Sequence, residues 1–328
     1  MWLLTTARAR LDFFPRPEDV PNGYAILSHT WMQPGEGEED TFQIVQRLNE
    51  EAHRHSLHHS RVRAFLERAE KAGFDYAWVD TCCINKESSA ELTEAINSMF
   101  RYYALSEVCY VYLSDVHTAG VKLSGPISDP DTSEDLARAF ERSRWHTRGW
   151  TLQELIASRV VVFFSRQWTL LGTKHELSGL LKNITGIPAV ILSLRVSFTD
   201  KSIAARMSWA AKRVTTRPED RAYCLFGLFG VNMPTLYGEG DNAFIRLLEE
   251  IMKTSRDPTL FLWGSARDVQ SLDGLVSDLR EADTHARHIL PSTPKEFDGC
   301  GRIGYSDHAV FRTSGSMVRL SDDRTVID

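Results

Sequence analysis

A single carboxylate among aromatic and basic side chains marks the stretch best suited to chemistry. Residues 144–155 contain two Trp, two Arg and one His, and Glu154 is their one acidic residue. The spacing predicts a short helix on which Trp150 and Glu154, four residues apart, share one face. A lone carboxylate beside an indole, near the ends of parallel strands, is typical of a ligand site in an α/β fold. The alternative is structural: Glu154 pairs with Arg148 or Arg144 and holds the helix in place.

A second set of polar residues follows the first predicted strand of the sheet. Residues 24–28 form a short apolar run typical of a buried strand, and a His-Thr-Trp sequence comes directly after it. Because open α/β sheets bind ligands beyond the carboxyl ends of their strands, we expect Ser28, His29 and Trp31 to border a crevice. Alternatively, the segment is an edge turn in which Trp31 caps the core.

The second predicted strand, residues 74–80, places another acidic residue at the same edge of the sheet. Asp80 can orient a sugar hydroxyl or a neighbouring histidine, and Cys82 and Asn85 lie in the polar connection that follows. We therefore expect these three residues to contact a ligand. The structural alternatives are that Asp80 caps backbone amides in the turn, and that Cys82 is a small packed side chain.

The elements that position these residues alternate between strands and helices. Strands are predicted at four places, which are residues 24–28, 74–80, 108–113 and 160–164, with helices between them. This alternation requires crossover connections and a largely parallel sheet, so it predicts an α/β fold. The remaining predictions are a turn-rich lead-in over 1–23, a long loop or lid over 118–133, four helices between 177 and 253, a short strand at 260–263 and weak strand signals at 310–311 and 317–318.

Composition excludes several classes of protein. The formal charge of −6 argues against a general binder of nucleic-acid backbones, and no apolar run reaches the length of a membrane span. Because residues 1–6 do not resemble a signal peptide, we expect a cytoplasmic protein with five reduced cysteines. Histidines at positions 53, 55, 58 and 59 lack a carboxylate or cysteine that would complete a metal site, so we predict an exposed helix start there and no bound metal.

Three motifs resemble the fungal heterokaryon-incompatibility (HET) domain. They are the sequences of residues 24–31, 78–86 and 148–154, and residues 217–223 and 236–240 resemble the same family. The resemblance covers about residues 2–264 and departs from the family pattern at Met32, where a glycine is more usual. It implies a HET domain over 1–264, with an α/β core at about 20–170 and a helical elaboration over 171–264, followed by an extension of loops and short strands over 265–328.

HET domains are similar in turn to TIR domains, many of which cleave the bond between nicotinamide and ribose in NAD. Residues 150–154 fit the TIR Trp-x-x-x-Glu pattern, which implies a TIR/flavodoxin-like sheet and a catalytic role for Glu154. The resemblance further implies that Trp150 or Trp31 stacks on nicotinamide, and that Arg148 binds a phosphate. No Gly-x-Gly-x-x-Gly motif is present, so we expect NAD as a substrate rather than as a bound cofactor.

Two other functions remain open at this level. The first is a signalling module without enzymatic activity, which self-associates or recruits partner proteins and triggers cell death through them. The second is a sensor that binds NAD or a related nucleotide through Asp80 and Ser28 without turning it over. The TIR likeness cannot decide among the three, because TIR-like domains also work by assembly.

Overall fold

The structure is a computed structural model that describes residues 1–33, 35, 37–48, 60–118, 127, 134–263 and 290–304, and the backbone of three strands between residues 310 and 327. Two predictions fall outside these described residues. They are the clustered histidines at positions 53, 55, 58 and 59, and nearly all of the loop or lid predicted over 118–133.

Seven strands form one central sheet. They are β1 (Trp2–Thr5), β2 (Leu11–Phe13), β3 (Ala25–His29), β4 (Tyr76–Trp78), β5 (Val108–Tyr112), β6 (Val161–Phe164) and β7 (Leu170–Thr173). Their order across the sheet is β2-β1-β4-β3-β5-β6-β7. The strands β4, β3, β5 and β6 pair in parallel, whereas β1, β2 and β7 add antiparallel edges. The predicted α/β fold with a largely parallel sheet is therefore confirmed.

Strand β3 occupies the middle of the parallel strands, and all five of its residues are buried. The chain passes from β3 to β4 on one side and then crosses to β5 on the other side. The strand order reverses at this point, where open α/β sheets form a ligand-binding crevice at the carboxyl ends of the strands. The register pairs Ser28 with Val111, which places the end of β3 beside the reversal.

Helices connect and flank the strands. The first six are α1 (Phe42–Leu48), α2 (Ser60–Lys71), α3 (Asp80–Cys83), α4 (Ser89–Leu105), α5 (Glu134–Glu141) and α6 (Thr151–Ala157). The six that follow β7 are α7 (Ser178–Thr185), α8 (Ala189–Leu192), α9 (Ile203–Ser208), α10 (Asp220–Tyr223), α11 (Phe226–Phe229) and α12 (Asn242–Thr254). One hydrophobic core contains residues from both groups, so the later helices pack on the same core as the sheet.

The contact between α4 and α11 depends on a glycine. A Cβ placed on Gly227 would overlap the Cβ of Phe100, an atom that no side-chain rotation can move away. We expect Gly227→Ala to lower the free energy of unfolding by about 2–3 kcal/mol, because the two helices would have to separate. The control is Gly179→Ala in α7, where nothing lies within 4 Å of the new methyl group, and it should be neutral or stabilising by about 0.5–1 kcal/mol. Urea unfolding measures both, and equal stabilities of the two variants would contradict this packing.

Three local predictions from the sequence are wrong. The predicted turn-rich lead-in contains two short strands, β1 and β2. Pairing stabilises them, because β2 pairs with β1 and β1 pairs with β4. The strand predicted at 260–263 is a 3₁₀ helix, Pro258–Phe261, that begins at a proline after a capping aspartate, Asp257. The single helix predicted over 220–229 is two short helices, α10 and α11, with Cys224 and Leu225 between them.

A second, antiparallel sheet lies near the end of the chain. It consists of β8 (Val310–Thr313), β9 (Ser316–Ser321) and β10 (Arg324–Ile327), in the order β10-β9-β8. These strands include both weak strand signals predicted there. None of the helices in the described residues is long and apolar enough to cross a bilayer.

Candidate functional site

Polar side chains gather where the parallel strands end. Ser28 and His29 end β3, Asp80 begins α3 just after β4, and Ser114 and Asp115 follow β5. Because these strands run in the same direction, all five residues lie at one edge of the sheet. Helix α6 connects β5 to β6 and brings Glu154 to this edge.

The carboxyl group of Glu154 lies against Ser28. The Ser28 hydroxyl donates a hydrogen bond to Oε2 of Glu154, and it accepts one from Nε1 of Trp145 at 2.8 Å. The Tyr103 hydroxyl also forms a hydrogen bond with the Glu154 carboxyl group, and it donates one to the carbonyl oxygen of Leu27 at 3.2 Å. All four side chains are buried. Neutral hydroxyl groups contact the carboxyl group, whereas the structural alternative predicted an ion pair of Glu154 with Arg148 or Arg144.

Basic side chains fix both ends of α6. At its start, Nη1 of Arg213 donates hydrogen bonds to the carbonyl oxygen of Arg148 and to Oγ1 of Thr151, both at 2.9 Å. At its end, Nζ of Lys174 donates to two carbonyl oxygens, one of them 3.1 Å away. A cation at this end satisfies carbonyl groups that the helix leaves without partners and complements the helix dipole. The backbone that carries Glu154 is therefore held at both ends.

Burial raises the pKa of Glu154 to about 8. The hydrogen bond from Ser28 opposes this rise, the negative charge of Asp80 adds to it, and the positive charge of Arg213 opposes it. Desolvation dominates because the side chain is only 6% exposed. At neutral pH the carboxyl group is therefore mostly protonated in this conformation and can donate a hydrogen bond.

A second group of side chains leads from Ser28 to the surface. Trp31 is 47% exposed, and its Nε1 donates a hydrogen bond to Oδ2 of Asp80 at 2.6 Å. Nε2 of the buried His29 lies 3.8 Å from Oδ1 of the same carboxylate. The Lys86 Nζ lies 3.7 Å from the centroid of the Trp31 ring, which is a cation–π contact. Asp80 thus joins the end of β3 to an exposed indole and a lysine.

Arg144 adds a second cation to this edge. Its Nε donates to Oγ1 of Thr30 at 3.1 Å, and its Nη2 donates to Oγ of Ser114 at 2.9 Å. Its backbone N–H donates to Oδ2 of Asp115 at 2.8 Å. The guanidinium group therefore lies beside the ends of both β3 and β5. The planar fork of an arginine is suited to binding phosphate oxygens.

The structure brings together four of the predicted site residues with Glu154, and it places the other four elsewhere. The first group is Ser28, His29, Trp31 and Asp80, and the second is Cys82, Asn85, Arg148 and Trp150. The Trp150 indole is hydrogen-bonded to the Asp220 carboxylate, and Nη2 of Arg148 donates to Oγ1 of Thr216 at 3.1 Å. Trp150 directly precedes α6, and its partner Asp220 is the first residue of α10.

Cys82 and Asn85 form hydrogen bonds with residues outside the group around Glu154. The Cys82 thiol donates to the carbonyl oxygen of Asp40 at 3.0 Å, and burial raises the pKa of that thiol well above its usual value. The Asn85 side chain is bonded to Gln43 at 2.9 Å and to Glu91 at 3.3 Å. Cys82 is therefore a packed, protonated thiol, and Asn85 belongs to a structural hydrogen-bond network.

Glu154 is buried in this conformation, together with the two bulky side chains bonded to the Ser28–Glu154 pair. Trp145, which bonds to Ser28, and Tyr103, which bonds to Glu154, are 1% and 2% exposed. Two cavities, of about 410 and 420 Å³, lie elsewhere, and Glu154 lines neither of them. Among the described residues, no three His, Cys, Asp or Glu side chains are close enough to bind a metal ion.

Sequence reasoning missed four residues of this site. Trp145 lies in the stretch 144–155 and Tyr103 in a predicted helix, but the sequence indicates no site role for either residue. Arg144 was considered only as an ion-pair partner of Glu154, and Lys86 had no predicted contact. The polar end of a tyrosine on an apolar helix face is the one signal that pointed to a buried polar partner.

The stretch that carries the site matches a known protein family. Residues 24–154, which contain Ser28, Asp80 and Glu154, match the heterokaryon incompatibility protein (HET) family. Residues 242–323 match a domain of unknown function, DUF8212. No solved structure matches the chain significantly.

One curated relative is the vegetative incompatibility protein HET-E-1 of Podospora anserina. It is 41% identical to this chain over 272 residues, which are 81% of this chain and 18% of the relative. The chain therefore spans less than a fifth of the length of that protein. The family match and this identity together show that the chain contains a heterokaryon incompatibility (HET) domain.

Proposed function

We propose that this chain acts in fungal heterokaryon incompatibility and the cell death that follows it, by hydrolysing NAD to nicotinamide and ADP-ribose. The observation that supports this proposal best is the hydrogen bond between Glu154 and Ser28 at the reversal point of the parallel strands. The link to incompatibility rests on the family and on the name of the Podospora relative, vegetative incompatibility protein.

The reaction needs one ionised carboxylate. The bond between C1′ of the ribose and the nicotinamide nitrogen breaks, and both electrons leave with the ring, which becomes neutral. Positive charge then develops on the ribose, where a carboxylate stabilises it. Water adds to C1′ and releases a proton, so the products are nicotinamide, ADP-ribose and H⁺. The cationic nicotinamide ring favours the ionised form of Glu154 and lowers its pKa in the complex.

Other residues at the same edge supply binding contacts. The exposed Trp31 indole offers a face on which an aromatic ring stacks. Arg144 replaces Arg148 as the phosphate-binding residue, because its guanidinium group lies beside the ends of β3 and β5. Since Trp145 and Tyr103 enclose the carboxyl group, substrate reaches Glu154 only after these side chains move. We therefore expect activity to depend on an assembled or otherwise activated state.

Incubation of the purified protein with NAD, followed by chromatography of nicotinamide, tests the proposal. Nicotinamide should accumulate with time and with protein concentration, and more steeply than linearly if self-association opens the site. A parallel incubation with NADP shows which dinucleotide is preferred. Absence of nicotinamide with both substrates, in dilute protein and in concentrated, cross-linked protein alike, would remove the enzymatic proposal.

The closed site favours a second candidate, a signalling module that works by assembly. The Glu154 side chain is only 6% exposed, as expected for a carboxyl group whose role is to hold the fold. In contrast, α8 and the turn that follows it present the apolar side chains of Val190 and Leu194, which are 42% and 53% exposed. If assembly is the function, the Glu154→Gln variant remains toxic when it is expressed in fungal cells. The double variant Val190→Ser, Leu194→Ser is then not toxic. The reverse pattern supports the enzyme.

A further inference from the structure

A cavity of about 420 Å³ lies apart from the candidate catalytic site. It is enclosed by three segments, which are the start of the α6 region at Gly149, residues 210–215 after α9, and a 3₁₀ helix, Pro294–Phe297. Arg221 and Cys224 complete its wall. This volume is in the range of pockets that bind small molecules.

The lining of this cavity is strongly basic. Its charged side chains are four cations, Lys212, Arg213, Arg221 and Lys295, and one carboxylate, Asp298. The carboxylate is 3.8 Å from Nζ of Lys212, and Arg221 is paired with Asp241 at 2.9 Å. Since the whole chain carries a formal charge of −6, this excess of cations is a local reversal of the charge of the protein.

Arg213 is the most informative of these cations. Its partners in the described part of the chain are Oγ1 of Thr151 and the carbonyl oxygens of Trp209 and Arg148, and none of the three carries a negative charge. Its Nη2 atom is buried without a hydrogen-bond partner among the described residues. Burial lowers the pKa of Arg213 to about 10, so the group stays charged at neutral pH. A buried guanidinium group with a free donor is costly unless an acceptor completes its contacts.

We propose that this cavity binds a phosphate-bearing small molecule. Arginine and lysine side chains supply the charge, and Nη2 of Arg213 is the donor that the described residues leave without an acceptor. The hydroxyl groups of Thr215 and Thr293 line the same cavity and offer neutral hydrogen bonds. The bound anion occupies a site to which the HET-matched residue Gly149 and the DUF8212-matched residues 293–298 both contribute.

The site is separate from the proposed NAD hydrolysis. Neither Glu154 nor Ser28 lines the cavity, so Glu154→Gln should leave anion binding unchanged. The connection between the two sites is Arg213, which donates hydrogen bonds at the start of α6. A ligand in the cavity therefore contacts the residue that holds the helix carrying Glu154.

Isothermal titration calorimetry with inorganic pyrophosphate tests the proposal on the full chain. We expect binding with a Kd below about 1 mM, and a loss of affinity of about tenfold in the double variant Lys212→Gln, Lys295→Gln. Both lysines are exposed, so these changes leave the core intact. Hydrogen exchange should slow at residues 210–215 and 293–298 when pyrophosphate is present.

The matched control is the double variant Lys71→Gln, Lys182→Gln, which removes the same charge from exposed lysines outside the cavity. It should bind pyrophosphate within about twofold of the unchanged protein. Citrate is the second probe, because it carries similar charge on carboxylates. Any of three results would overturn the proposal. They are no heat of binding with pyrophosphate, an equal loss of pyrophosphate affinity in both double variants, and citrate binding as tight as pyrophosphate binding.

Discussion

Glu154→Gln is expected to reduce the release of nicotinamide from NAD by about 100-fold or more, which is the effect of removing a group that stabilises developing charge. The amide has nearly the size of the carboxyl group and can accept the same hydrogen bond from Ser28. It cannot carry the negative charge that the ribose requires as its bond to nicotinamide breaks. The fold should therefore survive while the chemical step is lost.

The controls for this prediction separate chemistry from stability. Glu249→Gln makes the same substitution at an exposed position of α12 and should leave the rate unchanged. Ser28→Ala removes a hydrogen bond to Glu154 but keeps the carboxylate, so we expect a smaller loss, on the order of tenfold. Initial rates are compared at saturating NAD, with circular dichroism to show that each variant is folded. Equal rates for Glu154→Gln and Glu249→Gln would show that Glu154 is not catalytic.

The parallel strands could be predicted because each is a short apolar run between turn signals. β3 is buried along its whole length, and every residue of β5 and β6 is buried or half-buried, so all three read as continuous hydrophobic runs. β1 and β2 lack this signal, because they are only four and three residues long and β2 is exposed along one side. Their stability comes from pairing with β4 and with each other, which no local pattern reveals.

The candidate site could be predicted only where strand ends determine it. Ser28 lies at the end of β3 and Asp80 just beyond β4, so the topology alone places them at one edge of the sheet. The spacing of Trp150 from Glu154 predicts a place in the same site, but the indole contacts Asp220, which lies 70 residues further along the chain (220 − 150). Spacing along one helix cannot report such a distant partner.

The second large effect concerns stability rather than catalysis. Glu154→Gln should stabilise the protein relative to the unchanged chain by an amount that grows as the pH rises from about 4.5 to about 8. In the unfolded chain the carboxyl group loses its proton near its usual pKa, whereas burial keeps it protonated in the folded chain up to about pH 8. Unfolding in this range therefore releases a proton and becomes easier as the pH rises. The slope is at most about 1.4 kcal/mol per pH unit, or about 3–5 kcal/mol in total.

The quantity to measure is the difference in the free energy of unfolding between Glu154→Gln and the unchanged chain. The absolute value is less informative, because another buried group changes stability with pH in the opposite direction. Burial lowers the pKa of His146 from 6.5 to about 3, so stability from this residue rises with pH between those values. Lys174, whose pKa burial lowers from 10.5 to about 8, adds stability only above about pH 8. Both contributions are common to the unchanged chain and Glu154→Gln and cancel in the difference.

Urea unfolding at pH values from 5 to 8.5 gives this difference directly, with Glu249→Gln as the variant in which it should stay near zero. Between pH 6.5 and 8 the unchanged chain should itself lose stability, because Glu154 is then the group among these three that still titrates. A difference that stays constant over the whole range would mean that the carboxylate is already ionised in the folded chain. The enclosure of Glu154 by Trp145 and Tyr103 would then be looser in solution than in this structure, and the path to the carboxylate correspondingly more open.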